Sequence, residues 1–231
     1  MSPGDHVYLY CERGLSSALD AEPFNAASNL AFFLVAVFAA RSYFRLPPSQ
    51  RGRAEAALIS LVAAIGIGSA LFHTFATRLA MAADVIPITA FMLAYAVFAL
   101  RRFLGFTALQ VALALAFAAI ATALAALSLC PPLAQSQSGT CLNGTVAYLL
   151  ALLSLLAVAL ATLKTHHPAA RSLLAASAIF ALSLTLRTLD QHLCPVTILF
   201  NAPRGTHALW HLLNAAMLAL LLNAALLRSP D

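Results

Sequence analysis

Seven apolar runs, each close to the thickness of a bilayer, constrain this chain more than any motif does. A helix needs about 20 predominantly apolar residues to cross the hydrocarbon core, and runs of that kind lie near 26–44, 54–74, 80–100, 106–128, 144–163, 170–188 and 206–227. Turn formers separate them: Pro47, Pro48 and Gly52; Pro131 and Pro132 with Ser136, Ser138 and Gly139; Pro195 and the Pro203/Gly205 stretch. With 62% hydrophobic and only 9% charged residues, against roughly 45–50% and 25% in soluble domains, a soluble globular fold is excluded. The expected fold class is all-α: an integral membrane protein whose seven transmembrane helices form a single domain over residues 1–231, with no length left for a second domain.

Lys and Arg mark orientation, because cytoplasmic loops retain them. Arg41, Arg45, Arg51, Arg53, Arg101, Arg102, Lys164, Arg171 and Arg228 fall on one side of the membrane, and only Arg13, Arg78, Arg187 and Arg204 on the other. The first side is expected to be cytoplasmic, which puts the amino terminus outside and the carboxyl terminus inside. In so apolar a chain the net charge of +5 reads as loop charge, and a nucleic-acid partner is set aside. Residues 1–25 carry Asp5, Glu12, Asp20 and Glu22 without an apolar h-region, so they are expected to remain as an extracytoplasmic tail rather than act as a signal peptide.

All four cysteines, Cys11, Cys130, Cys141 and Cys194, fall on the outer side, where disulfides form. Of three possible pairings, spacing favours Cys130 with Cys141, leaving Cys11 to tie the tail to Cys194. Four free thiols are the alternative.

Ionisable side chains within spans are costly and therefore functional candidates. Here they are His73, Asp84, His207 and His211, all at outer helix ends. His207 and His211 are spaced i, i+4 and share a helix face. With His73 at the same depth, three imidazoles and an open fourth position would suit a catalytic zinc ion; separate interfacial histidines satisfied by hydrogen bonds are the bland alternative. Ser69 lies four residues before His73 on the same face, while Gly66 and Gly68 read as close-packing positions. Asp84 could accept and return a proton, or could simply favour the helix start through the macrodipole. Pro87 is expected to loosen that start. Asp190, with Arg187 one turn earlier, reads as a structural ion pair outside the site. Glu22, Asn25 and Asn29 line one face and suit either a hard cation such as calcium or capping and interhelical hydrogen bonds. His166 and His167 beside Lys164 read as a hydrated turn.

Taken in order, Cys11-Glu12-Arg13, Glu22-Pro23-x-Asn25-x-x-x-Asn29, Gly66-x-Gly68-Ser69-x-x-x-His73 with Asp84 eleven residues later, and His207-x-x-x-His211 resemble the alkaline ceramidase family. That family belongs to the seven-helix membrane hydrolases that include the adiponectin receptors. The resemblance implies zinc held by His73, His207 and His211 with water as fourth ligand and attacking group, Asp84 as base, and Ser69 as hydrogen-bond donor to the amide oxygen. A fatty acid and a sphingoid base would be the products, in sphingolipid metabolism. It also implies a calcium site on Glu12 and Glu22 with backbone oxygens near Tyr10 and Gly14, although Leu9 and Gly14 stand where animal relatives carry polar or acidic side chains. Cys11 and Cys194 match the family's tail-to-loop disulfide. The Ala-rich helices and the loop after Asp190 resemble bacterial members, which implies a bacterial cytoplasmic membrane with the active site toward the outer face.

The function expected is a zinc-dependent intramembrane amidase acting on ceramide or another N-acyl membrane lipid. The alternative is a receptor-like or structural membrane protein whose zinc staples the second and seventh spans; direct Asp84 coordination would favour it, and an intervening water the enzyme. An ion-coupled transporter would need midplane charges, which the spans lack.

Overall fold

The computed structural model describes residues 2–130 and 141–227; the Pro131 to Gly139 turn formers and Arg228 lie outside them. The first apolar run folds as α1 (Pro23–Ser28) and α2 (Leu30–Arg45) about Asn29. The others are α3 (Arg53–Phe75), α4 (Arg78–Leu104), α5 (Ala108–Leu129), α6 (Val146–Lys164), α7 (Ala170–Leu193) and α8 (His207–Leu226). With α1 and α2 counted together, seven helical segments are long and apolar enough to cross a membrane. Local signals set several ends: Thr77 accepts a hydrogen bond from Ala80 N–H at the start of α4, and Thr107 and Gln110 form a capping box on α5.

The last helix is the hub. It packs on α2, α3 and α7, while α3 packs on α4 and α6 on α7. Trp210, Met217, Leu221 and Leu222 of α8 are buried among Phe32, Val62, Phe91 and Leu173 of its neighbours. By contrast α5 buries only Val111 and exposes Leu113, Phe117, Ile120 and Leu124, an apolar face of the kind that lipid covers.

Lipid tails are as apolar as leucine, so helices in a membrane associate through close contact and polar links more than through the hydrophobic effect. Both devices are present. Gly68 of α3 faces the backbone of Ala83 on α4 so closely that a Cβ there would overlap the Ala83 carbonyl. Pro87, four residues on, has no N–H to offer that carbonyl. The helix nonetheless runs on through Pro87, from Arg78 to Leu104. Polar links join α8 to α4 and to α7, with Tyr95 Oη donating to the Leu221 carbonyl at 3.1 Å and Asn214 Nδ2 to Ser183 Oγ at 2.8 Å.

The tail lies across one end of the bundle. Val7 N–H donates to the Ala76 carbonyl and Arg78 N–H to the Asp5 carbonyl, at 2.7 and 3.1 Å, which fixes the tail to the α3–α4 turn. Cys11 is bonded to Cys194 and Cys130 to Cys141, as spacing favoured. Between α7 and α8 a feature absent from the sequence reading appears. Strand β1 (Ile198–Leu199) pairs antiparallel with β2 (Ala202–Pro203) around Phe200 and Asn201, both at positive φ, the conformation that two-residue hairpin turns require.

Candidate metal centre

The end of α3, the start of α8 and the tail converge on three imidazoles. His73 comes from the last turn of α3, and His207 and His211 from the first turns of α8. All three are buried, and each offers a ligand atom within 4.8 Å of the others. The i, i+4 spacing sets the α8 pair with ring centroids 4.6 Å apart, and the contact of α3 with α8 brings His73 to 5.1 Å from His207 and 4.7 Å from His211.

Hydrogen bonds select the tautomers. His73 Nδ1–H donates to Glu22 Oε2 at 2.5 Å, because a carboxylate can only accept; Nε2 is then the lone-pair atom, and it is buried with no partner. Ser28 commits its hydroxyl hydrogen to the Asn25 carbonyl. The 2.7 Å contact between Ser28 Oγ and His211 Nδ1 is therefore donated by the ring, with the Asn25 carbonyl as a second acceptor at 3.2 Å. That leaves His211 Nε2 as acceptor or ligand. His207 Nδ1 is likewise buried without a partner. Partnerless imidazole nitrogens, gathered in one place and oriented by carboxylate, hydroxyl and carbonyl oxygens, form a donor set compatible with zinc.

Ser69, on the His73 face of α3, adjoins Asp84 of α4. Both are buried, and Asp84 Oδ1 has no hydrogen-bond partner. The close approach at Gly68 holds these two helices together one residue from each group. Asp84 is not one of the ligand atoms that cluster within 4.8 Å.

A family model described as Ceramidase matches residues 8–229 of the chain. The chain belongs to the ceramidase family. Comparison with curated proteins returns no match. As a ceramidase-family protein it is an amide hydrolase with a lipid substrate, and the three histidines, Ser69 and Asp84 all fall inside the matched region.

The ceramidase fold brings in residues that the motifs passed over. Asp190 does not pair with Arg187. Its Oδ1 accepts from the backbone N–H groups of Thr206 and His207 at 2.7 and 2.9 Å, and its Oδ2 from Cys11 N–H at 3.0 Å. It thus caps α8 at the turn that carries His207 and anchors the tail there. Gly205, at φ +65, makes room, since a Cβ there would strike Asp190 and Cys11. Arg187 instead lies over the rings of Tyr10, Tyr148 and Trp210, 5.0–5.8 Å from their centroids. Tyr10 stacks on His207 with centroids 3.6 Å apart, and burial pushes its phenol pKa up, Arg187 opposing. The one available signal was that Asp190 is an ionisable residue near the end of a span.

The acidic residues matched to a calcium site are otherwise engaged. Glu12 Oε1 accepts from Phe24 N–H and from Arg204, and its Oε2 from Asn25 N–H, at 2.8–3.2 Å. Glu22 Oε1 is paired with Arg13, and its Oε2 takes Asn25 Nδ2 and His73 Nδ1. Burial raises the Glu22 pKa, but the hydrogen bonds from His73, Asn25 and Arg13 outweigh it and hold the carboxyl below its ordinary value. Every carboxylate oxygen thus faces N–H donors, Gly14 has no side chain to add, and a guanidinium stands among them; this donor set does not fit calcium.

Proposed function

We propose that this protein is a zinc-dependent amidase that cleaves ceramide or a similar N-acyl lipid into a fatty acid and a sphingoid base or other amine. The observation that carries the reading is the composition of the metal-ligating group, which among the described residues holds three buried histidines and no carboxylate. Structural zinc sites are closed by four protein ligands, whereas catalytic ones use three and keep a position for water or substrate.

Zinc, when bound, supplies a Lewis acid and water acidified to a pKa of about 7. The chain's own groups divide the rest. Asp84 accepts a proton from the water whose oxygen adds to the amide carbon, then delivers it to the leaving nitrogen as the C–N bond breaks. Ser69 donates a hydrogen bond to the carbonyl oxygen as that atom gains charge. Glu22 holds His73, and Ser28 with the Asn25 carbonyl holds His211, so that each ring keeps the tautomer with Nε2 free. The reading extends to a bacterial cytoplasmic membrane with the histidines toward the outer face; the unequal Lys/Arg distribution and the two disulfides at the site end of the bundle support that orientation.

Metal analysis of detergent-purified protein, paired with fatty-acid release from a panel of N-acyl lipids, tests the proposal. The parent is expected to hold one zinc and release fatty acid, His73→Ala to lose both, and Asp84→Asn to keep zinc while losing turnover. Zinc without release from any lipid would overturn the amidase reading in favour of a structural staple, and no zinc would overturn the metal itself.

A further inference from the structure

Arg13 is buried to 3% exposure at the meeting point of the tail, α1 and α3. A guanidinium has five N–H donors in a rigid fork, and each has an acceptor here. Nε donates to Glu22 Oε1, Nη1 to the carbonyls of Ser16 and Ala18 at 3.1 and 3.0 Å, and Nη2 to those of His73 and Thr74 at 2.8 and 3.2 Å. The last two carbonyls close α3, where the negative end of the helix dipole favours a cation. One carboxylate and four carbonyl oxygens around a positive charge match the ligand types of a calcium shell, with the charge covalently attached to the chain.

We propose that Arg13 takes the place of a bound calcium ion: its guanidinium ties the tail to the end of α3 and holds Glu22 against His73, so that the protein needs no calcium. Arg13 is a positioning residue. It touches neither the facing imidazole nitrogens nor Asp84, and acts on the site through Glu22, which spans Arg13 Nε with one oxygen and His73 Nδ1 with the other. This inference rests on the reading that the histidines hold a metal, but half of its test does not.

The first arm titrates calcium into the detergent-purified parent in resin-treated buffer and follows heat of binding and thermal melting. No binding and no shift in melting at millimolar calcium are expected; saturable binding with stabilisation would overturn the proposal. The second arm compares the parent with Arg13→Gln and Arg13→Lys. The glutamine variant should bind zinc about 10- to 100-fold more weakly, the usual cost of losing a second layer of support. The visible spectrum of its cobalt-substituted form should shift as the Glu22–His73 hydrogen bond loosens, and Arg13→Lys should restore part of both. A folded Arg13→Gln protein with parental zinc affinity and cobalt spectrum would overturn it. Should the glutamine variant fail to fold, the lysine variant and the calcium titration still decide; a parent that takes up no metal would sink the metal reading separately, leaving the calcium arm to judge the replacement.

Discussion

The Asp190 carboxylate on α7 accepts the backbone N–H of His207 on α8 at 2.9 Å, which makes a carboxylate outside the ligand set responsible for where one proposed ligand begins its helix. Asp190→Ala would leave the N–H groups of Cys11, Thr206 and His207 buried without acceptors, each costing about 1–3 kcal/mol. A lower melting temperature and weaker zinc binding are expected, with Asp190→Asn recovering part of both. Thermal melting and zinc competition with a chromophoric chelator check this; parental stability of the alanine variant would contradict the capping role.

Gly68 sets the distance between α3 and α4. Gly68→Ala would drive a methyl group into the Ala83 backbone and separate Ser69 from Asp84, destabilising by about 1–3 kcal/mol and lowering turnover. Gly4→Ala, at a position open to solvent, is the control and should change neither. If both variants melt and turn over like the parent, the helices tolerate separation and the contact has no part in the site.

Ser69→Ala should retain zinc and bind substrate normally while kcat falls by about 10²–10³, the usual loss of one oxyanion donor. Steady-state kinetics decide between this and a hydroxyl that serves only as a neighbour of Asp84, in which case kcat would hold.

The Cys11–Cys194 bond joins residues 183 apart in sequence, and loss of a bond closing so long a loop typically costs about 2–5 kcal/mol. Cys11→Ser should melt below the parent under oxidising conditions, and reductant should narrow the gap. The Cys130–Cys141 bond closes a separation of only 11, so Cys130→Ser should cost less. Equal losses from the two changes would mean that loop closure is not the source of the stabilisation.

Much of this was legible before any fold was known. The spans, the i, i+4 histidine pair, the shared face of Ser69 and His73, the packing role of Gly68 and both disulfide pairings follow from period, composition and spacing. Arg13, Tyr10 and Asp190 were misread or passed over because each acts through partners far along the chain: Arg13 reaches His73 and Thr74, Tyr10 stacks on His207, and Asp190 caps a helix that begins 17 residues after it.

Sequence alone determines which stretches lie in lipid and which faces of each helix are small or polar, because a bilayer accepts only long apolar helices with internally bonded backbones. Tertiary structure alone decides which donor meets which acceptor. Buried N–H groups and oxygens compete for partners at the same end of the bundle, and here a guanidinium took Glu22, backbone amides took Asp190 and Glu12, and imidazole nitrogens were left to face one another.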